Sequence, residues 1–150
     1  MFLDLSPLRS AVAALTTSIA VVNNQPWFGQ QPIGVQQTLI AGVIQSFVFV
    51  YELSIRMLRR QLEVEAASPT EVDQSSFRDL LRMATAKGLI ADPEAWLGHR
   101  HMRNITAHTY DQIKAQLVYQ HALSFVKDAQ ALLHTLEQRN APPTTASNSA

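Results

Sequence analysis

The octet RNITAHTY, residues 103–110, brings together side chains that could cleave a phosphodiester bond. Histidine, here His108, both accepts and donates a proton near neutral pH, and arginine, here Arg103, grips a phosphate through paired hydrogen bonds without losing its charge. Together they suit metal-independent RNA cleavage. In that reaction a base takes the proton of the ribose 2′-hydroxyl, this oxygen attacks the adjacent phosphate, and a guanidinium stabilises the charge that develops.

The same octet has a second interpretation, in which it is only the end of a helix. Arginine, asparagine and histidine side chains near a helix C-terminus hydrogen-bond the carbonyl groups that the helix leaves unpaired. A spacing of arginine, four residues and histidine also occurs by chance. The residues alone therefore leave both interpretations open.

Helix geometry constrains the catalytic interpretation. On an unbroken helix Asn104 and His108 share a face, and Arg100 lies one turn earlier on the same stripe. Arg103 and His108, in contrast, would be ~140° apart. One chain is therefore not expected to aim both at one phosphate. Two octets that meet across a twofold axis would surround one cleft with groups from both copies, so this interpretation favours a site in a homodimer.

The other histidines do not predict a metal site. His99 and His101 would point to nearly opposite sides of a helix, and His99 and His108 are several turns apart. His121 and His134 lie in a long predicted helix, where histidines are more often exposed or packed than functional. We therefore expect no metal and no cofactor.

Composition predicts one domain. The 150 residues are 47% apolar, which is enough for one sizeable core. Twelve basic and twelve acidic residues cancel, so no overall charge attracts nucleic acid or an anionic membrane, and such binding would need a local patch. The absence of cysteine excludes disulfides, thiolate nucleophiles and cysteine-based metal sites, and it fits a reducing cytoplasm.

Two apolar stretches do not meet the requirements of an export signal or a membrane span. Residues 11–22 could mimic a signal core, but Asp4 lies in the region that should be basic and no small-residue cleavage site follows. Residues 38–51 meet Glu52 well short of the ~20 residues that a span needs. We therefore expect a cytoplasmic protein without a membrane partner, and we expect the second stretch to be a buried helix.

Hydrophobic periodicity predicts helices throughout the chain and no strand. The expected helices cover residues 8 to about 22, 35 to about 65, 77 to about 87, 93 into the octet, and 112 to about 139. Side chains that cap helix starts are expected at Ser6, with Pro7 as the first helical residue, at Ser75 or Ser76, at Asp92 and at Asp111, and Gly88 is expected to end the third helix.

These elements predict an all-α fold. The expected architecture is an up-and-down antiparallel bundle of four main helices with an additional short helix, spanning residues 1–139. Residues 23–34 are expected to be a loop with an exposed Trp27–Phe28 pair, and residues 66–75 a polar connector. The proline- and serine-rich tail, residues 140–150, is expected to be disordered.

The second predicted helix is apolar on nearly every side, so it needs cover from more than one direction. That cover could come from the rest of the bundle or from a second copy of the protein. In its C-terminal half Arg56, Arg59 and Arg60 stand at i, i+3 and i+4 and form one cationic stripe. Such a stripe is typical of solvated arginines, and together with Arg100 it is also a candidate RNA-binding surface.

Arg103, His108 and Tyr110 form the series arginine, four residues, histidine, one residue and tyrosine. The chain also contains the segments VIQSFVFVYELSIRML, ATAKGLIADPEAWL and RNITAHTYDQ. In these features, and over about residues 35–137, it resembles the HEPN-domain toxins of the HepT kind, and within them the nucleotidyltransferase substrate-binding proteins.

The resemblance implies an all-α bundle, a homodimer, and a small cognate nucleotidyltransferase of the MNT type as partner or antitoxin. It implies an endoribonuclease that uses Arg103 and His108, with Asn104 as a supporting polar group. It also implies that the partner can attach AMP to Tyr110. An adenylate there would add bulk and negative charge where an RNA phosphate must enter, and so would block the site.

The chain departs from the family pattern in its second helix. Family members often carry Arg-Phe-Glu and a Trp-Lys pair there, where residues 46–48 of this chain read Ser-Phe-Val and residues 55–56 read Ile-Arg. The acid at position 48 is therefore missing, while Glu52 remains. The N-terminal helix and the loop after it are less like the family and could contact a partner.

Two functions from different classes follow. The first is a dimeric toxin-like ribonuclease that a nucleotidyltransferase neutralises. The second is a non-catalytic subunit that docks a nucleotidyltransferase and presents substrate or nucleotide to it. A pure oligomeric scaffold ranks below both, because it gives no reason for arginine, asparagine, histidine and tyrosine at one helix joint.

Overall fold

The structure is a computed structural model that describes residues 2–109 and 111–142. Over these ranges it contains seven α-helices, one 3₁₀ turn and no strand, which confirms the all-α prediction. In chain order the elements are α1 Ser6–Asn23, α2 Gln25–Phe28, α3 Ile33–Glu65, α4 Pro69–Asp73, α5 Phe77–Ala86, α6 Pro93–Ile105, the 3₁₀ turn Thr106–His108, and α7 Gln112–Arg139.

Helices α1, α3 and α7 pack against one another and form the main part of the bundle. Helix α6 lies against α7 and α3, and α5 lies against α6 and α3. The centre of the core is aromatic. Phe47 and Phe125 meet edge to face with their ring centroids 4.8 Å apart, and Trp96 of α6 approaches Phe125 at 5.9 Å. One aromatic cluster therefore joins α3, α6 and α7.

Most of the predicted helix ends are confirmed, because local side chains satisfy the backbone there. The Ser76 side chain accepts from the amide of Asp79, Asp92 accepts from the amides of Glu94 and Ala95, and Asp111 accepts from those of Ile113 and Lys114. Gly88 has a φ of 75°, a left-handed conformation that glycine adopts without steric cost, where the chain leaves α5.

The predicted start of the first helix is wrong in its detail. Ser6 is the first helical residue and not the cap, and its own backbone amide donates to the Asp4 carboxylate over 3.0 Å. Asp4 therefore satisfies an amide at this helix end, the role that sequence reasoning assigned to Ser6.

Two segments that were predicted as loops contain short helices, namely α2 within residues 23–34 and α4 within residues 66–75. Each helix carries one buried apolar side chain, Phe28 in α2 and Val72 in α4. The prediction that Phe28 is exposed is wrong, although Trp27 is 42% exposed as expected. Burial of these side chains stabilises short helices that turn chemistry alone does not predict.

Helix α3 buries one face and exposes another. Val43, Phe47 and Val50 belong to the core, whereas Phe49 is 54% exposed. By length and composition α3 could cross a membrane, and 33% of its most apolar stretch is buried inside the fold. The expectation of a buried helix therefore holds for one face of α3, and the outer face is left uncovered by a single chain.

Asn140 belongs to the folded domain and not to a disordered tail. Its side-chain oxygen accepts from the Leu3 amide over 2.8 Å, and its side-chain nitrogen donates to the Gln61 side chain over 2.8 Å. The prediction of disorder from residue 140 is therefore wrong at this position, because the amide joins the chain start to α3. The part of that prediction that falls on residues 143–150 lies outside the described residues.

Candidate catalytic cleft around Arg103

The octet does not form an unbroken helix. Helix α6 ends at Ile105, the 3₁₀ turn follows, and the Thr106 hydroxyl donates to the Arg103 carbonyl over 2.6 Å. The angular argument for a continuous helix therefore does not describe this segment, because a 3₁₀ turn has fewer residues per turn than an α-helix. Tyr110, the predicted site of AMP attachment, lies outside the described residues.

Arg103 opens onto a cleft between α6, α3 and α7. The cleft has a volume of about 460 Å³ and is called the Arg103 cleft below. Thr106 and Thr109 line it beside Arg103, because the three positions follow one another at intervals of three. The opposite walls come from the first half of α3 and the first turns of α7, through Gln37, Ile40, Ala41, Ile44, Gln45, Val48, Gln112, Ala115 and Gln116.

Arg103 forms an ion pair with Glu52 of α3. Its Nη2 donates to Glu52 Oε1 over 2.7 Å, and its Nε approaches the same oxygen at 3.3 Å. The two side chains are 35% and 45% exposed, so the pair is partly open to solvent and lies outside the core. Glu52 thus holds the arginine side chain in place and competes with any phosphate for it.

Glu52 was not among the predicted site residues. The signal that points to it in the sequence is indirect. Position 48, where family members often carry an acid, is a valine in this chain, and Glu52 is the acid that remains near that position. Its pairing with Arg103 crosses 51 residues of chain and could not be derived from local spacing.

Asn104 and His108 are exposed, and neither lines the Arg103 cleft in a single chain. The structure therefore brings Arg103 together with two threonines and Glu52, and it leaves Asn104 and His108 on outer positions of the same segment. The catalytic roles of Arg103, His108 and Asn104 stay predictions.

A buried tyrosine lies behind the ion pair. Tyr51 is next to Glu52 on α3, and burial raises the pKa of its hydroxyl to about 12, although Arg100 and Arg103 act in the opposite direction. The hydroxyl therefore stays protonated at physiological pH and is a neutral group near two guanidinium groups.

Two of the four arginines predicted to bind RNA make contacts within the chain. Arg59 donates to the Val72 carbonyl over 3.4 Å, and the Arg100 guanidinium lies 4.6 Å from the centre of the Phe77 ring. Arg56 and Arg60 are exposed on the outer side of α3. An RNA-binding role for the four stays a prediction.

Sequence reasoning missed a buried polar network between α6 and α7. His99 is 3% exposed, and its Nε2 lies 2.7 Å from Asp128 Oδ2 while its Nδ1 lies 2.7 Å from His121 Nε2. The carboxylate favours a proton on Nε2, so Nδ1 accepts a hydrogen bond from His121. Burial lowers the pKa of both histidines, that of His121 to about 4. His121 and Asp128 are 22 and 29 residues from His99 in the sequence, so local spacing does not reveal this network.

Metal-binding side chains do not cluster in the described ranges 2–109 and 111–142, where no three histidine or acidic side chains are placed to share an ion. Both ring nitrogens of His99 form hydrogen bonds to protein groups, namely Asp128 and His121.

A named protein and a solved structure, both from Haemophilus influenzae, are similar to this chain over most of its length. A Haemophilus influenzae protein named probable ribonuclease HepT is 45% identical over 138 residues, which are 92% of this chain and 94% of that protein. A solved structure from the same species, described as the fold of a substrate binding domain of a nucleotidyltransferase, has a TM-score of 0.88 at 44% identity. The similarity covers 90% of this chain and 100% of the chain in that structure.

The family comparison agrees with these relatives. Residues 3–138 match the family described as nucleotidyltransferase substrate binding protein like, so the match includes the N-terminal helix as well as the octet. From this match and the 45% identity over nearly the whole chain, the protein belongs to the nucleotidyltransferase substrate-binding family, which includes HepT-like proteins.

Proposed function

We propose that this protein is a metal-independent endoribonuclease of a toxin–antitoxin pair, active as a homodimer and neutralised by a cognate nucleotidyltransferase of the MNT type. The observation that carries the proposal is the similarity to a protein named probable ribonuclease HepT over 92% of the chain. The position of Arg103 in a cleft, one short turn before His108, supports it.

In the proposed mechanism His108 takes the proton of a ribose 2′-hydroxyl. The resulting oxygen attacks the neighbouring phosphorus and the bond to the 5′-oxygen breaks. The 5′-oxygen takes a proton from water, His108 returns its proton to solvent, and the products are a cyclic phosphate and a 5′-hydroxyl. Arg103 stabilises the charge on the non-bridging oxygens, and Asn104 is a supporting polar group. Arg103 must share its donors between the phosphate and Glu52, which now accepts two of its N–H groups.

A second copy of the chain would complete this site. His108 does not line the Arg103 cleft of its own chain, so a twofold arrangement that brings two octets together would combine groups from both copies. This part of the proposal accounts for the exposed outer face of α3, which a single chain leaves uncovered.

The test is cleavage of total cellular RNA by the purified protein in EDTA. Wild-type protein should cleave the RNA. His108→Ala should lose this activity while it keeps its fold and stays a dimer. The matched control is His134→Ala, an exposed histidine on α7 that should behave as wild type. Arg103→Ala should also lose cleavage and bind RNA more weakly. Retained cleavage in His108→Ala would refute the mechanism.

Neutralisation is tested at Tyr110. With the cognate nucleotidyltransferase and ATP, the Tyr110 hydroxyl should displace pyrophosphate from ATP, so wild-type protein should gain the mass of an adenylyl group, which is AMP less one water. It should also lose ribonuclease activity, because the adenylate blocks the approach of a phosphate. Tyr110→Phe should stay active and unmodified, whereas the matched control Tyr119→Phe should be silenced like wild type. Modification at another residue would contradict this part of the proposal.

A second candidate function is a non-catalytic subunit that presents substrate or nucleotide to a nucleotidyltransferase. The description of the family and that of the solved relative favour it. It predicts tight co-purification with the partner, faster nucleotide transfer in its presence, and no RNA cleavage by the free protein. Silence of both wild type and His108→Ala, in protein shown to carry no AMP, would favour this candidate over the ribonuclease.

A further inference from the structure

The Arg103 cleft continues into a second cleft along α3 and α7. The second cleft has a volume of about 480 Å³ and extends toward the end of α1 and α2. The two clefts share four lining residues, Gln37, Ile40, Gln112 and Gln116. They therefore form one continuous groove, with Arg103 near one end and Phe28 near the other.

Glutamine dominates the polar lining of this groove. Seven glutamines line one or both clefts, and they are Gln25, Gln36, Gln37, Gln45, Gln112, Gln116 and Gln120. Among the described residues that line the groove, Arg103 is the one charged side chain. We call this feature the glutamine groove.

The glutamines fall into two groups. Gln25 and Gln36 use their side-chain nitrogens in hydrogen bonds to backbone carbonyls, at 3.0 and 2.9 Å. The other five are exposed on α3 and α7. On α7 they stand at every fourth position, from Gln112 to Gln120, so they form one stripe with successive side chains about 6 Å apart along the axis.

The chemistry of this lining selects among ligands. A primary amide both donates and accepts hydrogen bonds, as the edges of nucleobases do, and it carries no charge. A wall of neutral amides therefore offers little to a polyanion, whereas a base edge can pair with each side chain. The single guanidinium suits one phosphate, because arginine grips phosphate with two parallel donors. Each cleft is large enough to hold a small ligand, for which ~300–1,000 Å³ is typical.

We propose that the glutamine groove binds unpaired nucleotides, with base edges hydrogen-bonded to the amides of α3 and α7 and a phosphate at Arg103. The identification of RNA as the natural ligand rests on the proposed ribonuclease function. The binding of unpaired nucleotides by the groove does not depend on that function. Two adjoining clefts favour a strand of more than one nucleotide over a free mononucleotide. A duplex is not expected to bind in this way, since its base edges are already paired.

The test is fluorescence anisotropy with labelled 2′-O-methyl hexanucleotides of a single base, one for each of the four bases. These probes lack the nucleophilic hydroxyl, so binding is measured independently of cleavage. A groove that reads base edges should prefer one base over the others. Inorganic polyphosphate should compete poorly, since it supplies phosphates without bases.

The decisive variant is the triple substitution Gln45→Ala, Gln112→Ala and Gln116→Ala. Alanine preserves the helices, and the loss of three amides should weaken binding about tenfold or more and reduce the preference among bases. The matched control is Gln30→Ala, Gln74→Ala and Gln138→Ala, three exposed glutamines outside the groove, which should bind as wild type.

The outcomes separate this proposal from the proposed function. If the wild type binds the hexanucleotides strongly and the triple variant does not, the proposed groove is supported, even when the protein cleaves no RNA. AMP that binds as tightly as the hexanucleotides would overturn the proposed strand and would identify a single nucleotide as the ligand of the groove. Absence of binding by every probe, or binding that the triple variant leaves unchanged, would overturn it. No binding together with a triple variant that no longer dimerises would instead identify the groove as a contact between copies.

Discussion

At the scale of single residues, the ion pair between Arg103 and Glu52 occupies guanidinium donors that the proposed RNA phosphate would use. Both side chains are partly exposed, so the pair is screened by solvent and contributes little to the free energy of folding. Its main consequence is local, since a bound phosphate and Glu52 compete for the same donors.

The substitution Glu52→Gln should therefore strengthen RNA binding. The neutral amide removes a negative charge beside the phosphate position and releases Arg103, and an exposed pair of this kind corresponds to a gain of up to roughly fivefold in affinity. The measurement is anisotropy with the labelled hexanucleotides across a series of salt concentrations.

The control for this prediction is Glu137→Gln, which makes the same change in net charge at the distant ion pair with Arg9. It should leave RNA affinity unchanged. Weaker binding in Glu52→Gln would mean that Glu52 positions Arg103 for the phosphate instead of competing with it.

At the scale of elements, α6 is attached to α7 by an aromatic cluster and a buried polar network. His99 packs edge to face against both Trp96 and Phe125, and it links Asp128 to His121 by hydrogen bonds. Because His99 lies one helical turn before Arg103, these contacts also fix the position of the end of α6 that carries the candidate site.

This attachment should weaken in acid. Burial lowers the pKa of His99 and His121 in the folded protein, that of His121 from 6.5 to about 4, with Asp128 opposing the effect and His101 adding to it. Below pH 6.5 the unfolded chain binds protons that the folded His121 does not, so the free energy of unfolding falls as the pH falls toward 4. Allowing for solvent screening of a half-buried ring, the loss is on the order of 1–2 kcal/mol.

Urea unfolding at neutral pH and near pH 4 measures this loss in the wild type and in His121→Gln. The glutamine amide nitrogen can reach the position of His121 Nε2 and donate to His99, but it does not titrate, so the difference between the two conditions should be smaller in the variant. His134→Gln, on the exposed side of the same helix, should keep the wild-type difference. An equal loss in all three proteins would exclude His121 as the source.

At the scale of the whole molecule, a single chain leaves several large apolar side chains in water. Ile113 is 82% exposed and Leu117 is 47% exposed, one helical turn apart on α7, and Phe49 of α3 is 54% exposed. Neighbouring exposed apolar side chains such as Ile113 and Leu117 are typical of surfaces that contact another protein. The proposed homodimer would cover surfaces of this kind.

We predict that the double substitution Ile113→Lys and Leu117→Lys converts the dimer to a monomer, because it places two charges in an apolar contact. Light scattering coupled to size-exclusion chromatography measures the mass, and circular dichroism checks that the helices persist. The control Val64→Lys, at an exposed position near the other end of α3, should stay dimeric. A monomeric wild type would contradict the proposed dimer.

Much of this fold was predictable from sequence, because helix periodicity and capping are local. Ser76, Asp92, Asp111 and Gly88 lie within three residues of the groups that they serve, so their effect on the chain direction could be inferred position by position. The octet itself was also visible in the sequence as a group of chemically suited side chains.

The tertiary structure alone decided which distant groups meet. The pairing of Arg103 with Glu52 spans 51 residues, and the bond from Leu3 to Asn140 spans 137. The same dependence on tertiary structure applies to the burial of Phe28, to the His99 network, and to the glutamine groove, which several helices line. Local patterns specify each helix and its apolar face, but the rotation and offset of one helix against another depend on packing of the whole core, and these determine which polar groups come into contact.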